Sequence, residues 1–470
     1  MDDLTMSVLT ANSGKIYCLS NIIGQGAQGT IYNTSDDEHV IKLYGTESQI
    51  KSQRRLKKLK WLFKLDYPDQ FIKPIDIFET PYIGYAMKKV KGHISLNKLL
   101  VPNREVSFSE WYNQNTGGLY RRLLVGQKIA LQFANLHKKN MAYCDLSGSN
   151  ILVNEDIGIN SVCMIDIDNV YIPGAEEVNV LGTSRYMAPE ILTKQINPDI
   201  FTDNYSLAVI LFELLRVGHP YIGDIIEDGT PEQMTEAYKG LYPYVDDPNT
   251  DFNRSSQMLP PDVVFTTQLK RFFQKVFVDG KENRILRGRA QEFALALQRA
   301  SNLVIKCPSC NNWHYAKPDN NRKYVCPWCD QPYEKPMRIA FYEKYNCKMN
   351  GNKVQIADKH LNDFILKNKS KNIVTKNYIK TIYEENDDAL DEYFSVRMAK
   401  NGKFYLINSS GNTIALKKSD ENEFSLIEKG EKKELDLKDT MIFVNPEDLQ
   451  NNNIGNNVKG VSFRYAVIKQ

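Results

Sequence analysis

Three things are scarce in this 470-residue chain: long apolar runs, an excess of either charge, and a cysteine framework. The longest strongly apolar run, Leu207 to Leu215 with Glu213 inside it, falls well short of the ~20 residues that span a bilayer. The opening "MDDLTMSVLT" lacks a basic stretch followed by an apolar one, so no secretory signal is expected. Basic residues number 60 and acidic residues 57, which leaves no global field to draw nucleic acid or a membrane surface. Four of the eight cysteines, Cys18, Cys144, Cys163 and Cys347, are scattered with no pairing pattern. The rest of the composition, 42% hydrophobic and 25% charged, is that of an ordinary globular protein with room for about three domains. The expectation is a soluble, cytoplasmic protein in a reducing compartment.

What the chain does carry begins at residues 15–44. "KIYCLSNII", "TIYNT" and "HVIKLYG" flank a Gly-rich and an Asp-rich turn, which predicts an antiparallel meander. Gly24, Gly26 and Gly29 thus join two strands and open no helix, which argues against a dinucleotide-binding unit. Such a turn lets backbone N–H groups face phosphate oxygens. A plain glycine-rich hairpin is the bland reading, and Lys42 tips the balance. It lies in a β-branched strand, where an inward lysine needs an anion such as a nucleotide's phosphates.

Residues 46–66 suit a helix with Leu56, Leu59 and Phe63 on its apolar side. It is rich in lysine and arginine, with no acid between Glu47 and Asp66. A solvated face is the ordinary account of such a run, and a docking surface for an acidic partner the alternative. "FIKPIDIFETPYIGYAMKKVKG" then gives two strands and a connector, Met87 to Gly92, where an adenine ring could bond to the backbone near Lys88 and Val90.

From Tyr120 the period turns helical, with Val125, Ile129, Phe133 and Leu136 on one face and an end at Lys138-Lys139-Asn140. "YCDLSGSNILV" follows, with an acid, Asp145, and an amide, Asn150, placed before an apolar strand. The strand "SVCMIDIDNVY" then ends at Asp166, where a carboxylate can bind a divalent cation. "GTSRYMAPEIL" and a nearly all-apolar helix from Tyr205, with Asp203 in its first turn, come next. A helix apolar all round is buried, so this one should be the central post of a helical lobe. Two further helices surround Arg284, a plausible partner for Glu190.

In order and in register, these pieces resemble a eukaryotic-type protein kinase domain from about Lys15 to Ala300. The resemblance implies a bilobal α+β fold, with a β-rich lobe to about 91 and a helical lobe from 92 to 300. It also implies ATP and Mg²⁺ or Mn²⁺, with Asp145 as catalytic base and Asn150 and Asp166 as metal ligands. Lys42 and the glycine loop would hold the phosphates. Thr183 and Ser184 become candidate self-phosphorylation sites.

The departures are specific. The family's His-Arg before the catalytic acid is Tyr143-Cys144, its following lysine is Ser147, and its Asp-Phe-Gly is Asp166-Ile167-Asp168. No glutamate stands in the middle of the basic helix to pair with Lys42, and Glu47 is the nearest candidate. Two other readings stand beside an active kinase: a nucleotide-binding pseudokinase scaffold, and a kinase of small molecules. The persistence of Lys42, Asp145, Asn150 and Asp166 favours chemistry over the first. The peptide-docking segment "GTSRYMAPE" speaks against the second.

"CPSC" and "CPWC" place Cys307, Cys310, Cys326 and Cys329 in the C-x(2)-C-x(15)-C-x(2)-C spacing of a structural, tetrahedral Zn²⁺ ribbon at 303–335. Trp313, His314, Tyr315 and Trp328 are expected to pack it. Residues 336–392 are expected to be a linker or helical segment that includes "EENDDALDE". Residues 393–470, with turns at Asn401-Gly402 and Ser410-Gly411-Asn412, should form a small β-sandwich for protein contact, vaguely similar to forkhead-associated domains. The whole resembles bacterial eukaryotic-like Ser/Thr kinases with an atypical catalytic loop. Some of these work beside a metal-dependent phosphatase and a von Willebrand factor A-like protein.

Overall fold

The computed structural model describes residues 4–469 apart from 27–28, 46–47, 173–181, 194–195, 320, 349–353, 368–370, 376–377, 379–391, 400–402, 412, 419–423, 436–439 and 444–461. The chain divides into two compact units. The first holds residues 1–108, 128–258 and 273–288; the second holds 109–127, 259–272 and 289–470. Within the second unit Phe272 meets Phe293 of the helix Ala290–Ser301, and the Tyr378 hydroxyl donates to Asn302 just past the helix end.

In the first unit, β1 (Val8–Thr10), β2 (Ile16–Gly26), β3 (Gly29–Thr34), β4 (His39–Leu43), β5 (Pro74–Phe78) and β6 (Gly84–Lys88) form one antiparallel sheet in the order β1-β2-β3-β4-β6-β5. Side chains of β4 alternate between two cores. Ile41 and Leu43 join Tyr17, Leu19 and Phe78 on one face. Val40 and Tyr44 join Tyr85, Met87 and Leu59 on the other. Lys42 shares this second face, toward the helix Gln49–Leu62 that supplies Leu59. The helix buries Leu59 and Leu62. The expected Phe63 is instead 41% exposed, because the helix ends one residue before it.

The expected long helix runs Gly118–Lys138, and its predicted face, Val125, Ile129, Phe133 and Leu136, is completely buried. Asn140 then takes a left-handed conformation, φ 54°, that turns the chain toward the acid-bearing loop. The central helix, Ile200–Arg216, starts at Asp199, whose carboxylate accepts from Phe201 N and Thr202 N in a capping box. Leu207 through Phe212 are completely buried, roughly 2 kcal/mol of transfer free energy for each large side chain. A small sheet of β7 (His93–Ser95), β8 (Ile151–Asn154) and β9 (Val162–Met164) carries the loop between β8 and the long helix and the turn after β9.

In the second unit, β10 (Val304–Lys306) and β11 (Trp313–Tyr315) form a hairpin. Beyond it the described residues of the expected linker or helical segment at 336–392 are largely extended: β12 (Arg338–Lys348), β13 (Val354–Ile365) and β14 (Lys371–Thr375). "EENDDALDE" lies outside the described residues except for Glu392, and the Asn401-Gly402 turn lies outside them entirely. Then come β15 (Glu392–Met398), β16 (Phe404–Asn408), β17 (Ile414–Lys418), β18 (Phe424–Ile427), β19 (Lys432–Leu435), β20 (Thr440–Phe443) and β21 (Ser462–Lys469). The strands make a six-stranded sheet, β13-β12-β21-β20-β17-β18, and a four-stranded one, β14-β15-β16-β19. Ile339, Phe341, Ile442 and Ile468 from the first sheet share one core with Phe394, Val396, Leu406 and Leu435 from the second, the packing of a sandwich.

Candidate functional site

The acid-bearing loop is held by Asp203. Its carboxylate accepts from Tyr143 N at 2.6 Å and Cys144 N at 3.0 Å, and His137 Nε2 lies 3.1 Å away. Bonds to a charged acceptor contribute about 1.5–3 kcal/mol each. Tyr143 is completely buried between the rings of Phe71 and Phe133, and its hydroxyl donates to Ile165 O, just before Asp166. It thereby ties the loop to the strand end that carries the second acid. Cys144 is left-handed, φ 68°, directly before Asp145.

Asp145 Oδ2 accepts from Asn169 Nδ2 at 3.2 Å, and Oδ1 accepts from Thr183 N at 3.1 Å. Burial raises its pKa above the ordinary aspartate range, although the Thr183 amide and the Asn169 side chain oppose that. Asn150 donates Nδ2 to Asp145 O at 2.8 Å, which leaves its Oδ1 as the atom for a cation. Asp166 is left-handed, φ 60°, and opens a single turn, Ile167–Asn169. Lys42 Nζ lies 2.7 Å from Asp166 Oδ1 and 2.7 Å from Asp168 Oδ2. Burial pulls the lysine down, but Asp168 and then Asp166 outweigh it and leave the ammonium above its ordinary pKa. Burial and the adjacent Asp168 carboxylate push Asp166 upward.

The structure therefore brings Lys42, Asp145, Asn150 and Asp166 into one connected cluster. Gly26 and Gly29 pair across the β2–β3 hairpin, with Gly24 opposite Ile31 and the tip residues 27–28 outside the described set. Gly29 has φ 150°, and a Cβ there would sit 2.2 Å from Leu43 O, so no other residue fits. Lys88 ends β6, exposed, and Val90 follows it half-buried in the connector. Asp168 and Asn169 were not assigned roles from sequence. The run of acids and an amide directly after a strand, "IDIDN", was the signal available. The Glu190–Arg284 pairing is corrected: Glu190 is gripped by Arg287, at 2.6 and 2.9 Å, while Arg284 pairs with Asp199, the cap of the central helix.

In the second unit the four cysteine sulfurs lie within 4.8 Å of one another. Cys307 and Cys329 are 3.7 Å apart and Cys310 and Cys326 3.8 Å. A tetrahedron with bonds of about 2.3 Å to zinc has edges of about 3.8 Å, so the donor set fits that ion. The two knuckles share one geometry. Asn311 N donates to Cys307 O and Asp330 N to Cys326 O, both at 3.0 Å, with Asn311 and Asp330 left-handed. Burial raises the Cys307 thiol, but the amides of Cys310 and Ser309 outweigh it and bring it to about 7. The aromatics pack as expected: Trp328 Nε1 donates to Trp313 O, and His314 is completely buried.

A sequence profile of the family described as protein kinase domain matches residues 17–292, and the chain belongs to that family. It is 24% identical over 214 residues to the "Probable serine/threonine-protein kinase MRK1 homolog" of Encephalitozoon cuniculi, 44% of this chain and 62% of that one. It is 25% identical over 221 residues to the serine/threonine-protein kinase nekl-2 of Caenorhabditis elegans, 43% of this chain and 58% of that one. A third relative, leucine-rich repeat serine/threonine-protein kinase 1 of Mus musculus, is 37% identical over 109 residues, 21% of this chain and 5% of that one. The chain thus spans about three fifths of the length of the first two. The family implies the bilobal kinase fold and the use of ATP and Mg²⁺. No helix among the described residues is long and apolar enough to cross a membrane.

Proposed function

We propose that the chain is an ATP-dependent protein kinase that transfers the γ-phosphoryl group to Ser or Thr hydroxyls of proteins, itself included. The observation that carries this reading is that the single turn Ile167–Asn169, opened by Asp166, links the site: Lys42 meets Asp166 and Asp168, and Asn169 donates to Asp145. Phosphoryl transfer depends mostly on positioning and charge neutralisation, and these residues supply both. Asp145, an acceptor with two held oxygens, orients the incoming hydroxyl and takes its proton. Lys42 and the amides of the Gly24–Gly29 hairpin hold the phosphates, and the Lys88–Val90 connector receives the adenine. Asn150 Oδ1 and the Asp166 carboxylate are hard oxygen donors suited to Mg²⁺ or Mn²⁺, which when bound neutralises phosphate charge.

The kinase domain is taken as 15–300, the ribbon as 303–335, and the β-rich part beyond as a module for protein contact. A cytoplasmic, bacterial signalling role, a partner phosphatase and a von Willebrand factor A-like partner rest on the resemblance to bacterial eukaryotic-like kinases alone. The test is radiolabel incorporation from ATP with Mg²⁺ or Mn²⁺. Labelling should vanish in Asp145→Ala and in Asp166→Ala; labelling retained in both overturns the proposal. Stabilisation by ATP with no transfer to any substrate would instead favour the pseudokinase scaffold.

A further inference from the structure

We propose that Asp168 is the positioning counter-ion of Lys42, taking the part that a helix glutamate plays in related kinases. The proposal rests on the kinase reading of this site. Active kinases need an ion pair between the strand lysine and an acid on the helix that follows it. Here the helix Gln49–Leu62, "QIKSQRRLKKLKWL", contains no acid at all. Glu47, the nearest acid before the helix, lies outside the described residues; an inward lysine on β4 needs a partner, because a buried ammonium without an anion is costly.

The acid comes from the other side of the site. Asp168 Oδ2 is 2.7 Å from Lys42 Nζ, with side chains only 7% and 5% exposed. The third position of the triplet reaches the lysine because Asp166 turns left-handed and Ile167 anchors the turn in the core at 1% exposure. Both acids then project to one ammonium, and Asn169 reaches Asp145. A glycine at 168 would leave this place empty.

The two acids are not equivalent. Asp166 keeps a side chain 26% exposed, open to a cation, whereas Asp168 is enclosed. When Asp166 is drawn to a metal, Lys42 keeps Asp168. The helix has changed sign to match. Arg55 covers the Tyr44 ring at 4.4 Å, beside Lys42 on the same sheet face. One cation, Lys42, thus meets both carboxylates, with the acid moved from helix to turn.

The experiment compares wild type, Asp168→Asn, Lys42→Met and the double variant in full-length protein. It measures autophosphorylation rate against Mg-ATP concentration and, separately, Mg-ATP affinity by titration calorimetry. Asp168→Asn, nearly the same shape, should lower kcat/KM about 10²-fold, the size of loss that a misplaced reacting group produces. In the Lys42→Met background the same change should cost less than twofold, because the effect of Asp168 on phosphate transfer passes through the lysine. An Asp168→Asn variant within twofold of wild type in both rate and affinity overturns the proposal. So does a full, additive loss in the Lys42→Met background. A wild type that binds Mg-ATP without transferring phosphate would sink the kinase reading only, since the coupling is then read from affinity. A wild type that does neither overturns both.

Discussion

Arg287 donates through both terminal nitrogens to both carboxylate oxygens of Glu190, at 2.6 and 2.9 Å, with the guanidinium side chain 1% exposed. Its Nε also donates to Gly280 O, and the Tyr205 ring lies under it. Three residues earlier, Arg284 is 36% exposed and holds Asp199 through a single nitrogen. The two arginines predict different costs. Arg287→Ala removes an enclosed guanidinium, leaves the Glu190 carboxylate, 12% exposed, unpaired, and should destabilise the protein by about 3–5 kcal/mol. Arg284→Ala should cost about 1 kcal/mol or less. Urea unfolding of both variants measures this, and equal losses would contradict the pairing.

The acid limb of the reaction's pH profile should report Asp145. The base acts deprotonated, so a pKa raised by burial moves the loss of activity to higher pH than an ordinary aspartate would give. Asn169 donates to the charged form, and Asn169→Ala removes that support. The limb should then shift to still higher pH, with rates converging with wild type above it. A limb that stays in place or moves down would show that Asn169 does not tune the base.

Acid should weaken the fold through His219. This ring is completely buried from the solvent side, accepts from Tyr221 N at 3.3 Å and lies 2.8 Å from Arg185 O, to which Nε2 donates. Burial and the Arg185 charge hold its pKa well below the ordinary 6.5. The unfolded chain therefore takes up a proton below 6.5 that the folded chain refuses, so stability is full above that pH and falls as pH drops beneath it. Melting temperatures of wild type and His219→Gln, followed from pH 7.5 to 5, should show a shallower decline in the variant. Parallel declines would rule His219 out as a source.

The cysteine cluster should hold about one equivalent of zinc, as a single four-thiolate site does. Cys307→Ser and Cys326→Ser should each lose that metal and lower the melting temperature. Excess chelator should reproduce the shift in wild type. Unchanged metal content in both variants would refute the site.

Much of the first unit was legible because its signals are local. The apolar run Leu207 to Leu215 can only be a buried helix, and the face Val125, Ile129, Phe133, Leu136 follows from the helical period alone. The ribbon was legible for the same reason, since four thiols at that spacing have one economical geometry. Residues 338–365 were not. Their strands mix charges such as Lys344, Asp358 and Lys359 with apolar positions, and only pairing across β12, β13 and β21 makes them a sheet. Arg284 and Arg287 are equally good partners for Glu190 on paper, and the choice depends on which one the core encloses.

By itself, then, the sequence determined the order of parts: a glycine hairpin, a strand lysine, an acid-and-amide loop, a second acid, a buried helical post and four thiols. Each of these is set by residue type and short-range spacing. The tertiary structure decided which charges meet. Lys42 lies 126 positions before Asp168, and nothing in the chain between them marks the pair. Their contact arises because β4 turns the lysine inward while the left-handed Asp166 swings the following turn beneath it. An ion pair in a closed site is strong only where burial excludes water, and burial is a property of the folded chain.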